Sequence, residues 1–453
     1  MSDAGRERLP CSSLAARGYA ALLAAGLRAL AALLVPRRTP APLPPVANDG
    51  PVVLVLPVLP DLSHTFVYRE VLALLRQRPD WRVVVLADNA TAPVHAEAKA
   101  LQQHVQYLRR DGITRAARRA GRWLLTRRGR ELFAMYRAHG DVGALLGKHP
   151  LRDPRHPGNA FLLADQLAPL RPRHVHVYAS TWPANVAMGA ATLLGVPFSI
   201  SSYVDFEFAY DHALLAEKVA RARFFRVVTA HCRQRLLALP QAGTTDATRI
   251  PAVLLGLDLA NWQQRATPRG DGTIVSAARL VPKKGLHLLP SALARLRARG
   301  IACRWRVAGD GPERARLEQL CREHGIADLV TFLGACDNTA VRQELLTADL
   351  AVLPCVIADD GERDGIPIFL CEAMALGVPA VSTPISGIPE LIRDGDTGFL
   401  AAPGDTEALA ATLAKALGDR AATAAIAERG RAAVHRELDV DRLAALLVAE
   451  IER

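Results

Sequence analysis

The sequence predicts an α/β protein of two doubly wound domains, on three observations. A chain of 453 residues with 50% hydrophobic content can bury two substantial cores. Apolar runs of strand type alternate with helical stretches along the chain, the rhythm of a parallel sheet with helical crossovers. The stretch 364–379, DGIPIFLCEAMALGVP, reads as a loop, a short helix and the start of a strand. Gly365 permits a tight turn there, and Pro367 suits the first helical position, where its missing N–H is not needed. Gly377 supplies a left-handed stop, and Val378 to Thr383 looks like a buried strand of a parallel sheet. Glu372 is the odd residue, because Ile368, Phe369, Leu370 and Met374 surround it with apolar groups. A carboxylate there costs free energy unless something hydrogen-bonds to it. Two readings stay open: a hydroxyl-rich ligand lying across the helix N-terminus, whose free N–H groups would face an anion, or an ordinary helix whose Glu reaches solvent.

The net charge of +11, carried mostly by Arg, implies anionic partners: nucleotide phosphates, an acidic lipid surface or nucleic acid. The seven cysteines (Cys11, Cys232, Cys303, Cys321, Cys336, Cys355, Cys371) show no C-x-x-C spacing, and free thiols in a reducing cytosol are the simplest reading. Ser12 to Val35 is Ala/Leu-rich but carries Arg17 and Arg28, so it lacks an uncharged core of transmembrane length. It reads first as an amphipathic interfacial helix and second as an N-terminal extension without a structural role. Residues 36–45, with five prolines, form a stiff linker.

The first domain is expected over 48–265. Pro51 to Pro57 is a buried-strand run, followed by a loop through Ser63, Thr65 and Phe66, a helix from Tyr68 to Arg78 and a strand from Trp81 to Leu86. Arg109 to Arg130 holds nine arginines interleaved with Ile113, Trp123, Leu124 and Leu125. A helix there would have one cationic and one apolar side, which suits an anionic membrane surface. A solvated basic face is the plain alternative, and no nucleic-acid partner is expected because no recognisable module accompanies the charge. His174 and His176 alternate with valines and so point to one face of a strand. Without a third ligand in view, two hydrogen-bonded structural histidines are expected rather than a zinc pair. Ala184 to Leu194 is helical, Val196 to Ile200 and Arg226 to Ala230 are strands, and Gln263 to Gly272 is the interdomain linker.

The second domain is expected over 266–430. A strand from Thr273 ends in a loop flanked by Arg279 and Lys284, and two fixed cations at the C-terminal end of a strand suit a diphosphate. Trp305 to Ala308 runs into a turn of Gly309, Asp310, Gly311 and Pro312. Val330 to Gly334 is a short strand, and another over 349–354 precedes the 364–379 stretch. Asp405 starts a capped helix through Leu417, and 431–453 form a helical tail.

Taken together these motifs resemble the retaining nucleotide-sugar glycosyltransferases of family 4 (group 1), most nearly their exopolysaccharide and colanic-acid branch. Glu372 matches the second acid of that family's Glu-x7-Glu element. The first is Asp364 here, which keeps the charge and loses one methylene. Gly365, Pro367, Ala373 to Ala375, Gly377, Pro379 and Ser386 to Glu390 fall in register. Arg279 and Lys284 match the R-x4-K pair that meets the donor diphosphate, and Gly309 and Asp310 open the family's G-x-G-P segment. Phe332 and Leu333 lie in the strand that runs under the nucleobase. Ser63, Thr65, Phe66 and Glu70 resemble the branch's first loop, without the glycine pair of many relatives. Tyr203 occupies the place of a His that meets the donor sugar in many relatives.

The resemblance covers about residues 50 to 420, closely in the second domain and loosely in the first. It implies a GT-B fold, two Rossmann-like domains facing across a cleft, with the helical tail returning to the first domain. The donor would be held by Arg279, Lys284, Gly309, Asp310, Phe332, Leu333, Gly365, Ile366, Pro367 and Glu372, with Asp364 and Tyr203 in catalytic places. The implied activity is retaining transfer from a UDP- or GDP-linked sugar to a saccharide or lipid-linked acceptor. No metal or cofactor is implied, and the expected location is cytoplasmic, peripheral at the inner face of the membrane. Because the His is replaced and the first acid shortened, a catalytically weak, membrane-associated nucleotide-sugar-binding protein is the alternative.

Overall fold

The computed structural model describes residues 48–61, 65–89, 96–109, 121–123, 125–138, 158–210, 214–243, 245–263 and 266–453. The candidate interfacial segment 12–35, the proline-rich linker, Cys11, Ser63 and residues 110–120 of the arginine-rich run lie outside them. Six strands make the first sheet: β1 (Val52–Leu59), β2 (Arg82–Asp88), β3 (Val105–Tyr107), β4 (His174–Tyr178), β5 (Phe198–Ser202) and β6 (Phe225–Val227). They are all parallel, in the order β3-β2-β1-β4-β5-β6. Val52 to Leu56 have no exposed surface because helices cover both faces, which is why the run carries no polar alternation. One face packs on Phe133, Phe161 and Met188 from helices Arg127–Ala138, Asn159–Leu167 and Trp182–Leu194. The other packs on Tyr68 and Val71 of helix Thr65–Gln77 and on the C-terminal helix Val440–Glu452.

The two strand histidines are structural. His174 Nε2 and His176 Nδ1 both lie 2.7 Å from Ser199 Oγ, and His176 Nε2 lies 2.9 Å from Ser201 Oγ. Burial pushes His174 down to about 3, so the ring is neutral at physiological pH.

The second sheet holds β7 (Thr273–Ala277), β8 (Arg304–Ala308), β9 (Val330–Gly334), β10 (Leu350–Val352), β11 (Ala380–Ser382) and β12 (Phe399–Leu400). It is also parallel, in the order β12-β11-β10-β7-β8-β9, so each domain repeats the same winding. In both, the winding direction reverses between two central strands, β1 and β4 in one sheet and β7 and β10 in the other. The C-terminal ends of the strands at such a reversal are the usual ligand position in doubly wound sheets.

Several sequence expectations shift. Pro367 is not the first helical residue: with φ −63° and ψ 123° it is the N-cap, and helix Ile368–Ala375 starts one residue later. Gly377, at φ 76°, does stop that helix. In the arginine-rich run, the apolar side does not turn outward as a whole. Trp123 packs against the first-domain core and donates its Nε1–H to Asp165 at 3.0 Å, a carboxylate that Arg122 also reaches at 2.8 Å. Leu125, 69% exposed, remains outward. Leu257, Leu259 and Trp262 already belong to the second-domain core, so the chain crosses over before residue 266. Helix Arg420–Glu437 packs on helix Ile368–Ala375, and Val440–Glu452 then packs on Thr65–Gln77, so the tail joins the two domains.

Candidate active site

The loop after β7 is a 3-10 turn, Pro282–Lys284, ending at Gly285. Gly285 has φ 67°, and a Cβ there would sit 1.8 Å from the carbonyl oxygen of Pro354. Only glycine lets the loops after β7 and β10 press together so closely. Their charged side chains meet as a result. Lys284 Nζ lies 2.6 Å from Asp364 Oδ2, and Lys283 Nζ lies 3.3 Å from Asp364 Oδ1 and 2.7 Å from Glu362 Oε1. The side chains of Lys284 and Asp364 are only 16% and 13% exposed. Burial raises the Asp364 carboxyl, but Lys284 and Lys283 outweigh it and hold the group below its ordinary value. Burial likewise lowers Lys284, and Asp364 reverses this, so the ammonium stays charged above its ordinary value. Arg279 stands at the rim, 56% exposed and 4.0 Å from Glu362. Lys283 and Glu362 carried no role in the sequence reading; the Lys283-Lys284 doublet was the available signal.

The other donor candidates line the ends of neighbouring strands. Gly309, after β8, has φ 129° and donates its N–H to Gly334 O at 2.6 Å. Asp310 accepts from the Gly311 N–H at 2.8 Å. The half-buried ring of Phe332 in β9 carries the Arg314 guanidinium 4.4 Å from its centre, with Leu333 partly buried beside it. Gly365 and Ile366 are half-buried in the loop before helix Ile368–Ala375, and Pro367 is buried.

Glu372 does not simply reach solvent: Arg69 of the first domain donates to its Oε1 across the cleft at 2.9 Å. The pair is enclosed, with side-chain exposures of 4% and 7%. Arg69 also donates through Nε to Glu97 at 2.9 Å, and Asn338 of the second domain lies 3.4 Å from the same Glu97 oxygen. Burial raises the Glu372 carboxyl, and Arg69 opposes the rise without cancelling it. Sequence reasoning missed Arg69 because its partner is 303 positions away.

Two more polar contacts cross the cleft. Arg363, next to Asp364, forms a fork on Asp205 at 2.9 and 2.6 Å, and His231 Nε2 approaches that carboxylate at 3.4 Å. Glu390 accepts the backbone N–H groups of Ala230 and His231, both at 2.8 Å, at the start of helix Ala230–Leu237. That helix end is a natural anion position, and here a carboxylate from the other domain fills it.

Tyr203 does not present its hydroxyl to the cleft. The ring meets Phe66 edge-on at 5.0 Å, and the oxygen is buried beside a small cavity lined by Leu56, Pro57, Val58, Val67 and Tyr68. Burial pushes the phenol well above its ordinary value, so it is neutral. What Tyr203 offers the second domain is its carbonyl oxygen, 3.0 Å from where a Cβ on Gly365 would stand. Glu70 is also committed within its own domain, taking a fork from Arg226 at 2.7 and 2.8 Å. Among the described residues, no group of three or more His, Cys, Asp or Glu could hold a metal ion, and no helix is long and apolar enough to cross a membrane.

Two parallel six-stranded Rossmann-like sheets, with charged groups gathered at the switch point of the second, define a GT-B architecture. Residues 260–433 match the family described as Glycosyl transferases group 1. The putative colanic acid biosynthesis glycosyltransferase WcaL of Salmonella typhimurium is 39% identical over 169 residues, 37% of this chain and 42% of that protein. The amylovoran biosynthesis glycosyltransferase AmsK of Erwinia amylovora is 37% identical over 166 residues, 37% of this chain and 41% of that protein. The chain thus spans about two fifths of the length of these curated relatives. Among solved structures, Anabaena Alr3699/HepE in complex with UDP and glucose superposes with a TM-score of 0.65 at 19% identity, covering 88% of this chain and 99% of that one. The lipopolysaccharide outer core galactosyltransferase WaaB gives 0.60 at 16% identity, covering 88% and 99%. At such identities the likeness is one of fold.

Proposed function

We propose that the chain is a retaining glycosyltransferase, moving a sugar from a UDP- or GDP-linked donor to a saccharide or lipid-linked acceptor in exopolysaccharide assembly. The observation that carries the reading is the cluster at the β7/β10 switch point, Lys283 and Lys284 on Asp364 with Arg279 beside Glu362, within the segment that matches group 1 glycosyltransferases. Relatives named for colanic acid and amylovoran synthesis support the pathway class, and solved neighbours bound to UDP support a nucleotide donor.

A departing nucleoside diphosphate gains negative charge at its terminal phosphate, and fixed cations aimed there lower the barrier. Arg279 offers a planar fork at the rim, and the two lysines offer point charges deeper in. Asp364 keeps those lysines in place and orients donor-sugar hydroxyls. Glu372 accepts from the ribose hydroxyls, and Phe332 and Leu333 lie under the base. Tyr203 acts through its backbone, by setting how closely Gly365 approaches the first domain. The test is transfer and hydrolysis by the full chain across a panel of UDP- and GDP-sugars, with product anomers read by NMR. Turnover with one donor and retained configuration is the expected result. An inverted product overturns the retaining mechanism, and nucleotide binding without any turnover overturns the enzyme reading.

A further inference from the structure

We propose that Arg69, a first-domain residue, is a positioning residue of the donor site in the second domain, holding the Glu372 carboxylate ionised and turned toward the ribose diol of a nucleoside diphosphate. This rests on the reading of Glu372 as the ribose acceptor.

The geometry supports it in three ways. The Arg69 guanidinium is anchored on its own side by Glu97 at 2.9 Å, so its reach across the cleft is fixed rather than adaptive. It meets Glu372 through Oε1 alone, at 2.9 Å. An ionised carboxylate has about four acceptor positions, so one taken by Arg69 leaves enough for two vicinal hydroxyls. Lastly, the pair is enclosed, and a carboxylate that has lost its cation in such surroundings takes up a proton. A protonated Glu372 would keep only part of its accepting capacity toward the diol. The arrangement therefore ties donor recognition to domain closure: the ribose site is complete only when the first domain brings Arg69 over helix Ile368–Ala375.

Among the described residues, the charged and titratable groups around Glu372 are few. Arg69 faces it from helix Thr65–Gln77, and Glu97 stands behind Arg69 on helix Ala96–Gln102. Cys371 precedes it in its own helix, its thiol pushed up to about 12 by burial. His435 comes from helix Arg420–Glu437, with Nε2 3.1 Å from Ala375 O. Of these, only Arg69 stabilises the ionised carboxylate by direct contact.

The experiment is calorimetric titration of the full chain and its Arg69→Met variant with UDP and GDP, from about pH 8.5 down to about pH 6. Phosphate protonation affects both proteins alike, so the ratio of their affinities is the readout. The expected ratio is within a few-fold at the alkaline end and grows to about tenfold or more at the acid end. A ratio that is constant with pH, or no loss at any pH, overturns the assignment. If the single variant does not fold, Arg69→Met combined with Glu97→Gln, which removes the charge of the other carboxylate that Arg69 contacts, carries the same measurement. Glu372→Ala separates the two claims. If it leaves UDP and GDP affinity unchanged, the ribose reading fails; if it loses affinity while Arg69→Met behaves as wild type, only the role of Arg69 fails.

Discussion

Replacing Asp364 with Asn separates two jobs that the geometry assigns to neighbouring atoms. The carboxylate stands 2.6 Å from Lys284 Nζ and 3.3 Å from Lys283 Nζ, so it neutralises the cations proposed to receive the diphosphate. A phosphate oxygen bonded to the far side of those ammonium groups would lie about 5–6 Å from the carboxylate. Two unit charges at that distance repel by about 3 kcal/mol at an effective dielectric of about 20, and by under about 1 kcal/mol in bulk water. With the side chains 13–16% exposed, the real figure falls between. Asp364→Asn keeps the shape and removes the repulsion, so UDP or GDP should bind about 1–2 kcal/mol more tightly, or roughly fivefold to thirtyfold. Transfer should nonetheless collapse, because an amide cannot supply the charge that orients the donor sugar and holds the lysines. Calorimetry with UDP and GDP reads the first effect, and a transfer assay reads the second. Weaker nucleotide binding in a folded Asp364→Asn protein would show that relief of this repulsion does not govern diphosphate affinity. Undiminished transfer would remove Asp364 from the chemistry.

Arg279→Ala should weaken UDP or GDP binding by about 1.5–3 kcal/mol, with a shallower salt dependence than wild type because its exposed charge is lost. Asp205→Asn breaks the fork from Arg363 and should cost about 3 kcal/mol of stability in urea or thermal unfolding at neutral pH, since Asp205 is 1% exposed. Burial raises that carboxyl, but Arg363 holds it below its ordinary value, so its contribution is present above the ordinary carboxylate range and lost as pH falls through the folded value; the wild-type and variant unfolding curves should converge in acid. Glu390→Ala frees two N–H groups at a helix start and should cost about 1 kcal/mol of interdomain docking, visible as a larger radius in small-angle scattering.

Much of the second domain was legible because its information is local. Gly377 stops a helix for a reason contained in one residue, its φ of 76°, and Val330 to Gly334 forms a strand over those same residues. The loop positions of Arg279, Lys284 and Asp364 follow from where strands end, so the sequence order alone placed them at one sheet edge. Pro367 was misplaced by one residue because a proline serves equally at an N-cap and at the first helical position, and only ψ decides between them. Trp123 was assigned to a surface because periodicity shows which residues share a helix side, not what covers that side.

Several of the residues that escaped have partners across the cleft. Arg69 and Glu372 are separated by 303 positions, and Asp205 and Arg363 by 158, so no window of sequence contains both members of either pair. Each partner also looked ordinary alone: an Arg in an amphipathic helix, an Arg beside an Asp in a loop. Yet the signal was present in a different form. The apolar neighbours of Glu372 mark it in the sequence as a buried carboxylate that needs a bond, and Arg69 of the other domain supplies one. A buried charge in one Rossmann-like half is thus a prediction about the facing half. The same logic sorts the first-domain acids. Glu70, on helix Thr65–Gln77, finds Arg226 of β6 within its own domain, whereas Asp205 finds Arg363 across the cleft. Carboxylates of the second kind report where the domains touch, and here they touch on either side of Asp364. Closure therefore acts directly on the group proposed to handle the donor sugar.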